Sequence, residues 1–333
     1  MMSPSGLLNR ADVLSRLAAI PSIGLVRTPT AIEEMPRLRA ALGPSPRLFV
    51  KRDDSIPFGF GGNKVRKLQF VGAEAVARGA ETLVTVGGVQ SNHARVTAAM
   101  AARLGIRCLL IANGVRPTRP TANALLDELL GADVEYIESR NERATAVNAA
   151  MKRLDRAGRR PYAVPLGAST ALGALGFVQA VGEMIEQGVT PDVIVHASSS
   201  GGTQAGLVAG CALHGLAAKV IGVSADDPAA EIESKVRALI TDIGDILGVD
   251  GATLGAAGPI NVADEHVGKG YGIATNESRL AQRLAARSEA IFVEHTYTAK
   301  ALGALISWIW AGRFTPEQTV LFWHTGGQPA LFA

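Results

Sequence analysis

Short apolar segments that alternate with helical patterns constrain the fold of this chain more than any other feature. The clearest of these segments are residues 83–86, 108–111, 193–195, 220–223 and 320–323. Glycine or polar residues follow each segment, and apolar residues at helical spacing generally come next. Short buried strands that alternate with helices are typical of mostly parallel sheets covered on both faces. We therefore predict an α/β fold.

The length and composition allow two such units in one chain. The 333 residues include 47% apolar and 19% charged side chains, so we expect a sizeable core and no extensive disorder. One series of strands and helices lies before about residue 170 and another lies after it. In sheets of this kind, ligands bind beyond the carboxyl ends of the strands, so the loops at those ends are where chemistry is expected.

Charge, cysteine content and hydropathy argue against several classes of partner. The net charge is only +3 and no basic stripe is present, so nucleic-acid binding is not expected. Cys108 and Cys211 are isolated, which indicates buried thiols in a reducing cytoplasm rather than a disulfide framework. No uncharged apolar run reaches the roughly 18 residues of a spanning helix, and residues 1–17 resemble neither a signal peptide nor an anchor. We expect a cytoplasmic protein without membrane contact.

A Ser/Gly-rich turn between a predicted strand and a predicted helix has the form of a phosphate cradle. From Ser198 to Gly206 it reads SSSGGTQAG. Glycines permit close approach, and free backbone N–H groups at a helix start favour an anion. Leu207 stands where a Walker loop needs lysine, and Thr203 stands where a dinucleotide fingerprint needs glycine. The pattern indicates a cup for a single phosphate, with a tight connection that binds no ligand as the alternative.

A second loop, GGNKVRKL, places Lys64 beside glycines and Asn63 at the predicted start of a helix. A lysine that forms a Schiff base must lie near other cations or in a dry pocket, so that its amine can lose a proton. Arg66 and Lys67 could lower the pKa of Lys64, or they could belong to a solvated helix face. The motif alone leaves both interpretations open.

A third loop, GGVQSNHAR, follows the predicted strand at 83–86 and opens a helix. Ser91 can cap that helix. Alternatively, Ser91, Asn92 and the backbone N–H groups can grip the carboxylate of a substrate. The packed face of this helix is predicted from apolar residues spaced three or four apart, namely Val96, Ala99, Met100 and Leu104.

Together these loops resemble the family of 1-aminocyclopropane-1-carboxylate deaminase and D-cysteine desulfhydrase, within the tryptophan-synthase-β-like class (fold type II) of pyridoxal-phosphate enzymes. The likeness covers most of the chain, and GGNK, QSNH and HTGG occur in that order. It implies two three-layer αβα domains with mostly parallel sheets. Residues 1–66 and 172–333 would form the large cofactor-binding domain, and residues 67–171 a small domain that closes over the active site. The resemblance also implies pyridoxal 5′-phosphate as cofactor, a small amino acid as substrate and a homodimer.

The resemblance assigns roles to residues of each motif. Lys64, next to Asn63, would carry the cofactor as a Schiff base and shuttle the α-proton. Asn92 would meet the cofactor hydroxyl, and it would hold the substrate carboxylate together with Ser91 and His93. Tyr297 would protonate or escort the leaving group. Tyr271 would line the pocket, with a plain turn tyrosine as the alternative. The phosphate would rest on Ser200, Gly201, Gly202, Thr203 and Gly206.

One position bears on the activity. Thr298 stands where the deaminases of the family have a glutamate that protonates the pyridine nitrogen, and Thr325 lies in the nearby HTGG motif. A neutral hydroxyl makes the ring a weaker electron sink, which suits the departure of a thiolate from Cβ better than the opening of a cyclopropane. The resemblance therefore favours β-elimination, with D-cysteine giving pyruvate, ammonia and sulfide. L-cysteate sulfo-lyase is the alternative, and the deaminase is less favoured.

The chain departs from its resemblance at residues 294–296, which read Glu-His-Thr where desulfhydrase-like members commonly read Asp-Pro-Val. His295 could bind an acidic substituent, or it could be a surface or hydrogen-bonded histidine. Other classes receive less support. A dinucleotide oxidoreductase lacks its glycine spacing, and the six histidines are too scattered for a metal hydrolase. A binding relative without activity would not need to keep Lys64, Ser91, Asn92 and Tyr297.

Overall fold

The computed structural model describes residues 10–255 and 260–333, so the expectation for the N-terminal segment lies partly outside the described residues. The α-helices are α1 (Arg10–Ala19), α2 (Pro36–Leu42), α3 (Asn63–Ala77), α4 (Asn92–Leu104), α5 (Ala122–Leu129), α6 (Arg143–Arg156), α7 (Ala171–Glu186), α8 (Gly202–His214), α9 (Ala229–Leu247), α10 (Gly251–Gly255), α11 (Asn276–Glu289) and α12 (Thr298–Trp310). The strands are β1 (Ile32–Glu34), β2 (Arg47–Lys51), β3 (Thr82–Gly88), β4 (Arg107–Asn113), β5 (Asp133–Ile137), β6 (Pro161–Ala163), β7 (Val193–Ser198), β8 (Lys219–Ser224), β9 (Asn261–Ala263) and β10 (Thr319–Trp323). The five segments predicted as strands lie in β3, β4, β7, β8 and β10.

The larger sheet has the strand order β1-β2-β10-β7-β8-β9. Only β1 pairs antiparallel with its neighbour, and the other pairings are parallel. Alternate strand residues serve opposite faces: Ile194 and Leu321 pack with α7, α8 and α9. Val195 and Phe322 pack with α2, α11 and α12. Apolar side chains on both faces explain why these strands read as continuous apolar runs.

The smaller sheet has the order β5-β4-β3-β6 and is parallel throughout. Leu83 and Leu110 pack against α3 and α4. Val84 and Ile111 pack against α6 on the other face. The predicted α/β fold with two mostly parallel, helix-covered sheets is therefore confirmed. The domain boundaries inferred from the resemblance stay a prediction.

Buried ion pairs attach α3 to the larger sheet. Arg66 pairs with Asp53 at 2.8 Å and with Glu183 of α7 at 2.8 Å. The indole N–H of Trp323, at the end of β10, donates to Asp53 over 2.8 Å. Lys51 of β2 donates to Glu183 over 2.6 Å. This network fixes the start of α3, where Lys64 lies.

Two further features bear on the expectations from composition. Cys108 and Cys211 are both buried with free thiols, as predicted. Within residues 10–255 and 260–333, the helices are all too short or too polar to cross a lipid bilayer.

Candidate active site

The three loops singled out in the sequence meet at one cavity of about 280 Å³. It lies at the carboxyl ends of strands from both sheets, as expected for a parallel α/β fold. Lys64, Ser91, Asn92, His93, Ser200, Gly201, Thr203, Tyr271, Tyr297, Thr325 and Asn63 all line it. The structure therefore brings together most of the residues that the sequence proposed.

Lys64 is connected by hydrogen bonds to the Ser/Gly-rich turn. It is the second residue of α3, and its Nζ donates to Asn63 Oδ1 over 2.9 Å. Asn63 Nδ2 in turn donates to Thr203 Oγ1 over 3.0 Å. Asn63 thus sets the position of the amine relative to the start of α8.

Close backbone contact joins the GGNK and HTGG motifs. The N–H of Asn63 donates to the carbonyl of Thr325 over 3.0 Å. Gly62 has a φ of +98°, and a Cβ on Gly326 would lie 2.6 Å from the Cα of Gly62. Because such a contact is too short for a side chain, glycine is needed at both positions.

Burial lowers the pKa of Lys64 to about 8, and the charge of Arg95 adds to this effect. From the sequence, Arg66 and Lys67 were expected either to lower the pKa of Lys64 or to lie on a solvated helix face. Neither expectation describes the two residues. Arg66 is buried and compensated by Asp53 and Glu183. Lys67 is also buried, with its Nζ directed at Ser169 Oγ, 3.0 Å away.

The Ser/Gly-rich turn forms a polar cup at the start of α8. Gly201 adopts a left-handed conformation there, with φ +81°. Ser169 Oγ lies 2.7 Å from Ser200 Oγ and accepts from the N–H of Gly202 over 3.3 Å. Lys67, also bonded to Ser169, places a buried amine beside this cup. Burial and the neighbouring Lys64 lower the pKa of Lys67 well below 10.5, so an anion bound in the cup would favour its charged form. Lys67 was not predicted to lie beside this turn, because the packing of α3 against the start of α8 brings the two together and no local sequence pattern shows it.

Two glycines assigned to the cradle have packing contacts. A Cβ on Gly206 would lie 2.2 Å from the carbonyl oxygen of Ala174, so this position allows α8 to approach α7. A Cβ on Gly202 would lie 2.7 Å from Ser169 Oγ. Neither glycine lines the cavity. Their proposed contact with a phosphate stays a prediction.

The start of α4 presents backbone and side-chain donors to the cavity. Ser91 caps the helix as predicted, since its Oγ accepts from the N–H of Ala94 over 3.2 Å. Asn92 Oδ1 accepts from Asn123 Nδ2 over 2.9 Å, which leaves the amide group of Asn92 to donate elsewhere. The first N–H groups of a helix have no partner within the helix, so they suit a carboxylate.

His93 is neutral, because burial lowers its pKa well below 6.5. Its Nε2 lies 2.8 Å from Thr85 Oγ1, and that hydroxyl donates to the carbonyl of Val164 over 2.8 Å. Nε2 must therefore carry the proton, while the buried Nδ1 has no partner among the described residues. An unprotonated Nδ1 repels a carboxylate, so the assigned contact of His93 with a carboxylate is better supplied by its backbone N–H.

Two tyrosines form the opposite wall. The hydroxyls of Tyr271 and Tyr297 lie 2.5 Å apart, and their rings meet edge to face. Burial raises the pKa of Tyr297 well above 10, so its hydroxyl stays protonated. Lys300 holds the loop of Tyr271 in place, because its Nζ donates to the carbonyls of Ala225 and Gly270.

Thr298 and Thr325 differ in their access to the cavity. Thr298 is buried behind the wall, where its hydroxyl accepts from the N–H of Glu294 over 3.0 Å. Thr325 lines the cavity, and its hydroxyl has no hydrogen-bond partner in the described part of the chain. His295 lies outside the lining, and its Nδ1 is 3.3 Å from Ser278 Oγ. The position of His295 favours the interpretation as a hydrogen-bonded histidine. Of the two threonines, Thr325 is the one whose side chain is accessible from the cavity.

No role was predicted from the sequence for the charged residues at the rim of the cavity. Arg140 and Arg143 both line the cavity, as do Asp226, Asp227 and Asn113. Arg140 Nη1 donates to Asp226 Oδ2 over 2.7 Å, which joins the segment after β5 of the smaller sheet to the segment after β8 of the larger sheet. Arg143 follows Arg140 by three positions, a spacing that places two side chains on one face of a helical segment, so it could have signalled their common face.

The arrangement fits a phosphorylated aldehyde cofactor. A Schiff base needs an amine that loses its proton near neutral pH, and Lys64 provides one. A phosphate needs hydrogen-bond donors, and it would find backbone N–H groups at the start of α8 and the amine of Lys67 beside them. The amine has only the neutral Ser169 as a neighbouring acceptor among the described residues, so a bound phosphate would supply its counterion. Among the described residues, no group of three or more His, Cys, Asp or Glu side chains could hold a metal ion.

Comparisons with known proteins agree with this chemistry. Residues 23–326 match the family described as "Pyridoxal-phosphate dependent enzyme". D-cysteine desulfhydrases from Klebsiella pneumoniae (strain 342) and Salmonella typhi are 39% and 38% identical over 328 residues, which cover 96% of this chain and 98% of each relative. A solved structure described as an ACC deaminase homologue superposes with a TM-score of 0.89 at 31% identity, covering 99% of this chain and 97% of the other. The matched family segment contains every residue that lines the cavity.

Proposed function

The chain belongs to the pyridoxal-phosphate-dependent enzyme family and is a lyase of that family, and from that premise we propose that it is a D-cysteine desulfhydrase. The reaction converts D-cysteine and water to pyruvate, ammonia and hydrogen sulfide. The observation that carries the proposal is the position of Lys64. Its amine, with a pKa lowered to about 8, lies in a cavity that is also lined by the start of α4 and by a pair of tyrosines whose hydroxyls are 2.5 Å apart.

When bound, pyridoxal phosphate supplies an electron sink that makes the α-proton and the β-substituent of an amino acid labile. Ser200, Gly201, Thr203 and Lys67 would hold its phosphate, with Gly202 and Gly206 shaping the turn. Asn92 would donate to the ring hydroxyl. We assign the contact with the ring nitrogen to Thr325 instead of Thr298, because the hydroxyl of Thr298 is buried and already bonded to Glu294.

The remaining residues bind the substrate and move its protons. The N–H groups at the start of α4, with Ser91 and Asn92, would bind the carboxylate. Lys64 would remove the α-proton as a general base, a role that its lowered pKa suits. Burial raises the pKa of Tyr297, so its hydroxyl stays protonated and has a proton to give. Tyr297 would deliver this proton to the departing sulfur, and the hydroxyl of Tyr271, 2.5 Å away, would hydrogen-bond to that of Tyr297.

We also propose the organisation that the resemblance implies. Residues 67–171 would form a small domain that closes over a large domain of residues 1–66 and 172–333, and two copies would form a homodimer in the cytoplasm. The Arg140–Asp226 pair supports closure, because it joins a residue from each of these units. Light scattering of the holoenzyme would test the dimer.

Lys64→Ala tests the proposal. The variant should show no Schiff-base absorbance and no pyruvate formation, whereas Lys152→Ala, at an exposed position of α6, should retain both. Persistent turnover by Lys64→Ala would refute the assignment. A panel of D-cysteine, L-cysteine, β-chloro-D-alanine and the cyclopropane amino acid would test the substrate. Efficient formation of 2-oxobutyrate from the last compound would favour the deaminase instead.

A further inference from the structure

Arg143 lines the cavity and has no carboxylate partner among the described residues. Its Nε donates to Asn113 Oδ1 over 2.9 Å, and its Nη2 donates to the same oxygen. Asn113 is neutral, and Arg143 forms no salt bridge with any described carboxylate. Nη1 has no hydrogen-bond partner among the described residues. The side chain is thus held in place at one side while its other donors stay available.

The acidic residues nearby are already paired. Asp226 binds Arg140 at 2.7 Å, and Asp227 binds Lys235 at 2.9 Å. Burial lowers the pKa of Arg143, whereas the pKa of Arg140 is raised by its hydrogen bond with Asp226. Both arginines line the cavity, but a carboxylate balances the charge of Arg140 and no described carboxylate pairs with Arg143. Among the arginines of the lining, the uncompensated positive charge therefore lies at Arg143.

The backbone at the start of α6 adds little free positive charge. A short 3-10 turn at residues 140–142 comes directly before Arg143 and is capped by Ser139 and Glu142, and the N–H of Arg143 donates to the carbonyl of Arg140. The guanidinium of Arg143 is therefore the group that favours an anion entering this side of the cavity.

We propose that Arg143 binds the β-substituent of the substrate as an anion, so that the chain accepts 3-substituted alanines whose substituent is negatively charged. This inference rests on the proposed β-elimination and names the substrate class for that site. Arg143 shares the cavity with Tyr271 and Tyr297, the wall to which we assign the leaving group. A thiolate and a sulfonate both offer the required charge, and a sulfonate can also accept two of the fork-like donors of an arginine. His295, the residue that the sequence suggested for an acidic substituent, lies outside this wall.

The test compares two substrates on the holoenzyme. β-Chloro-D-alanine has a neutral substituent, and the sulfonate analogue of cysteine, supplied in both enantiomers, has an anionic one. Arg143→Met should raise KM for the sulfonate about 10- to 100-fold, the range expected for a lost charge-assisted hydrogen bond. The kcat/KM of Arg143→Met for β-chloro-D-alanine should stay within about threefold of wild type. Arg143→Lys should have a KM for the sulfonate between those of the wild type and Arg143→Met. Arg153→Met is the matched control, since it removes an arginine of α6 that pairs with Glu135 outside the cavity.

The outcomes separate this inference from the proposed function. Equal losses on both substrates, or no change on either, would overturn the assignment of Arg143. So would a wild-type enzyme that converts β-chloro-D-alanine but neither enantiomer of the sulfonate. If the wild type shows no Schiff-base band and converts no substrate, the proposed function itself fails.

Discussion

The guanidinium of Arg66 grips both carboxylate oxygens of Asp53, with Nη2 2.8 Å from Oδ1 and Nε 2.8 Å from Oδ2. Both side chains are buried. Such a bidentate pair fixes orientation as well as distance. Because Arg66 lies two residues after Lys64 in α3, this pair aligns the helix start that presents the amine to the cavity.

Asp53→Asn should therefore be strongly destabilising. It leaves the buried charge of Arg66 with only Glu183, and breaking a buried pair typically costs about 3–5 kcal/mol. Denaturant unfolding of the apoenzyme would measure the loss. Glu34→Gln is the control, because its pair with Arg47 is 41% and 52% exposed and should contribute less than about 1 kcal/mol. Similar losses for the two variants would contradict the role of the buried network.

Lys67→Met should weaken cofactor binding. The substitution removes the buried amine beside the cup, which a bound phosphate would keep protonated, but it retains most of the apolar side-chain volume. Loss of one charge-assisted hydrogen bond to the phosphate should raise the Kd of pyridoxal phosphate about 10- to 100-fold. Titration of the apoenzyme, followed by the Schiff-base band, measures this. Lys67→Arg should retain more affinity than Lys67→Met, and an unchanged Kd in Lys67→Met would remove Lys67 from the phosphate site.

Cofactor loading should depend on pH through Lys64. The neutral amine is the nucleophile, and the pKa of Lys64 is lowered from 10.5 to about 8. The loading rate should therefore rise with pH and reach half of its plateau near pH 8. Stopped-flow absorbance of apoenzyme mixed with pyridoxal phosphate would show this. Arg95→Gln should move the midpoint upward because it removes the second cause of the shift, and a wild-type midpoint near 10.5 would contradict the environment described for Lys64.

The sequence predicted the parts of this site that depend on local pattern. Apolar strands and glycine-rich helix starts are encoded over a few residues, so β3, β7 and the starts of α3, α4 and α8 could be predicted together with Lys64. The burial of Lys67 could not be predicted in this way, since it follows from the packing of α3 beside Ser169.

Two contacts, one between distant residues and one within a single turn, explain the other differences. Arg143 is oriented by Asn113, 30 residues earlier in the chain, and no short motif records that contact. The buried position of Thr298 depends on Glu294, whose carboxylate accepts from the N–H groups of Thr296, Tyr297 and Thr298. This capping by Glu294 turns Thr298 away from the cavity and leaves Thr325 accessible. The cap formed by Glu294 thus decides which of the two threonines proposed from the sequence lines the site.

Tyr297→Phe should separate leaving groups by their need for a proton. A positioned general acid contributes about 10²- to 10⁴-fold, so kcat for D-cysteine should fall at least about 100-fold. Chloride departs without a proton, so β-chloro-D-alanine should lose much less. Tyr271→Phe removes only the hydroxyl that is 2.5 Å from that of Tyr297, and its effect should be about 10-fold or less.

Steady-state pyruvate formation with both substrates measures these effects. Tyr162→Phe is the matched control, because its hydroxyl donates to Glu74 outside the cavity. The Schiff-base band should be retained in all three variants, since Lys64 is untouched. Equal losses on D-cysteine and β-chloro-D-alanine in Tyr297→Phe would show that the hydroxyl shapes the cavity and does not protonate the leaving group. A large loss in Tyr271→Phe with little loss in Tyr297→Phe would exchange the roles of the two tyrosines.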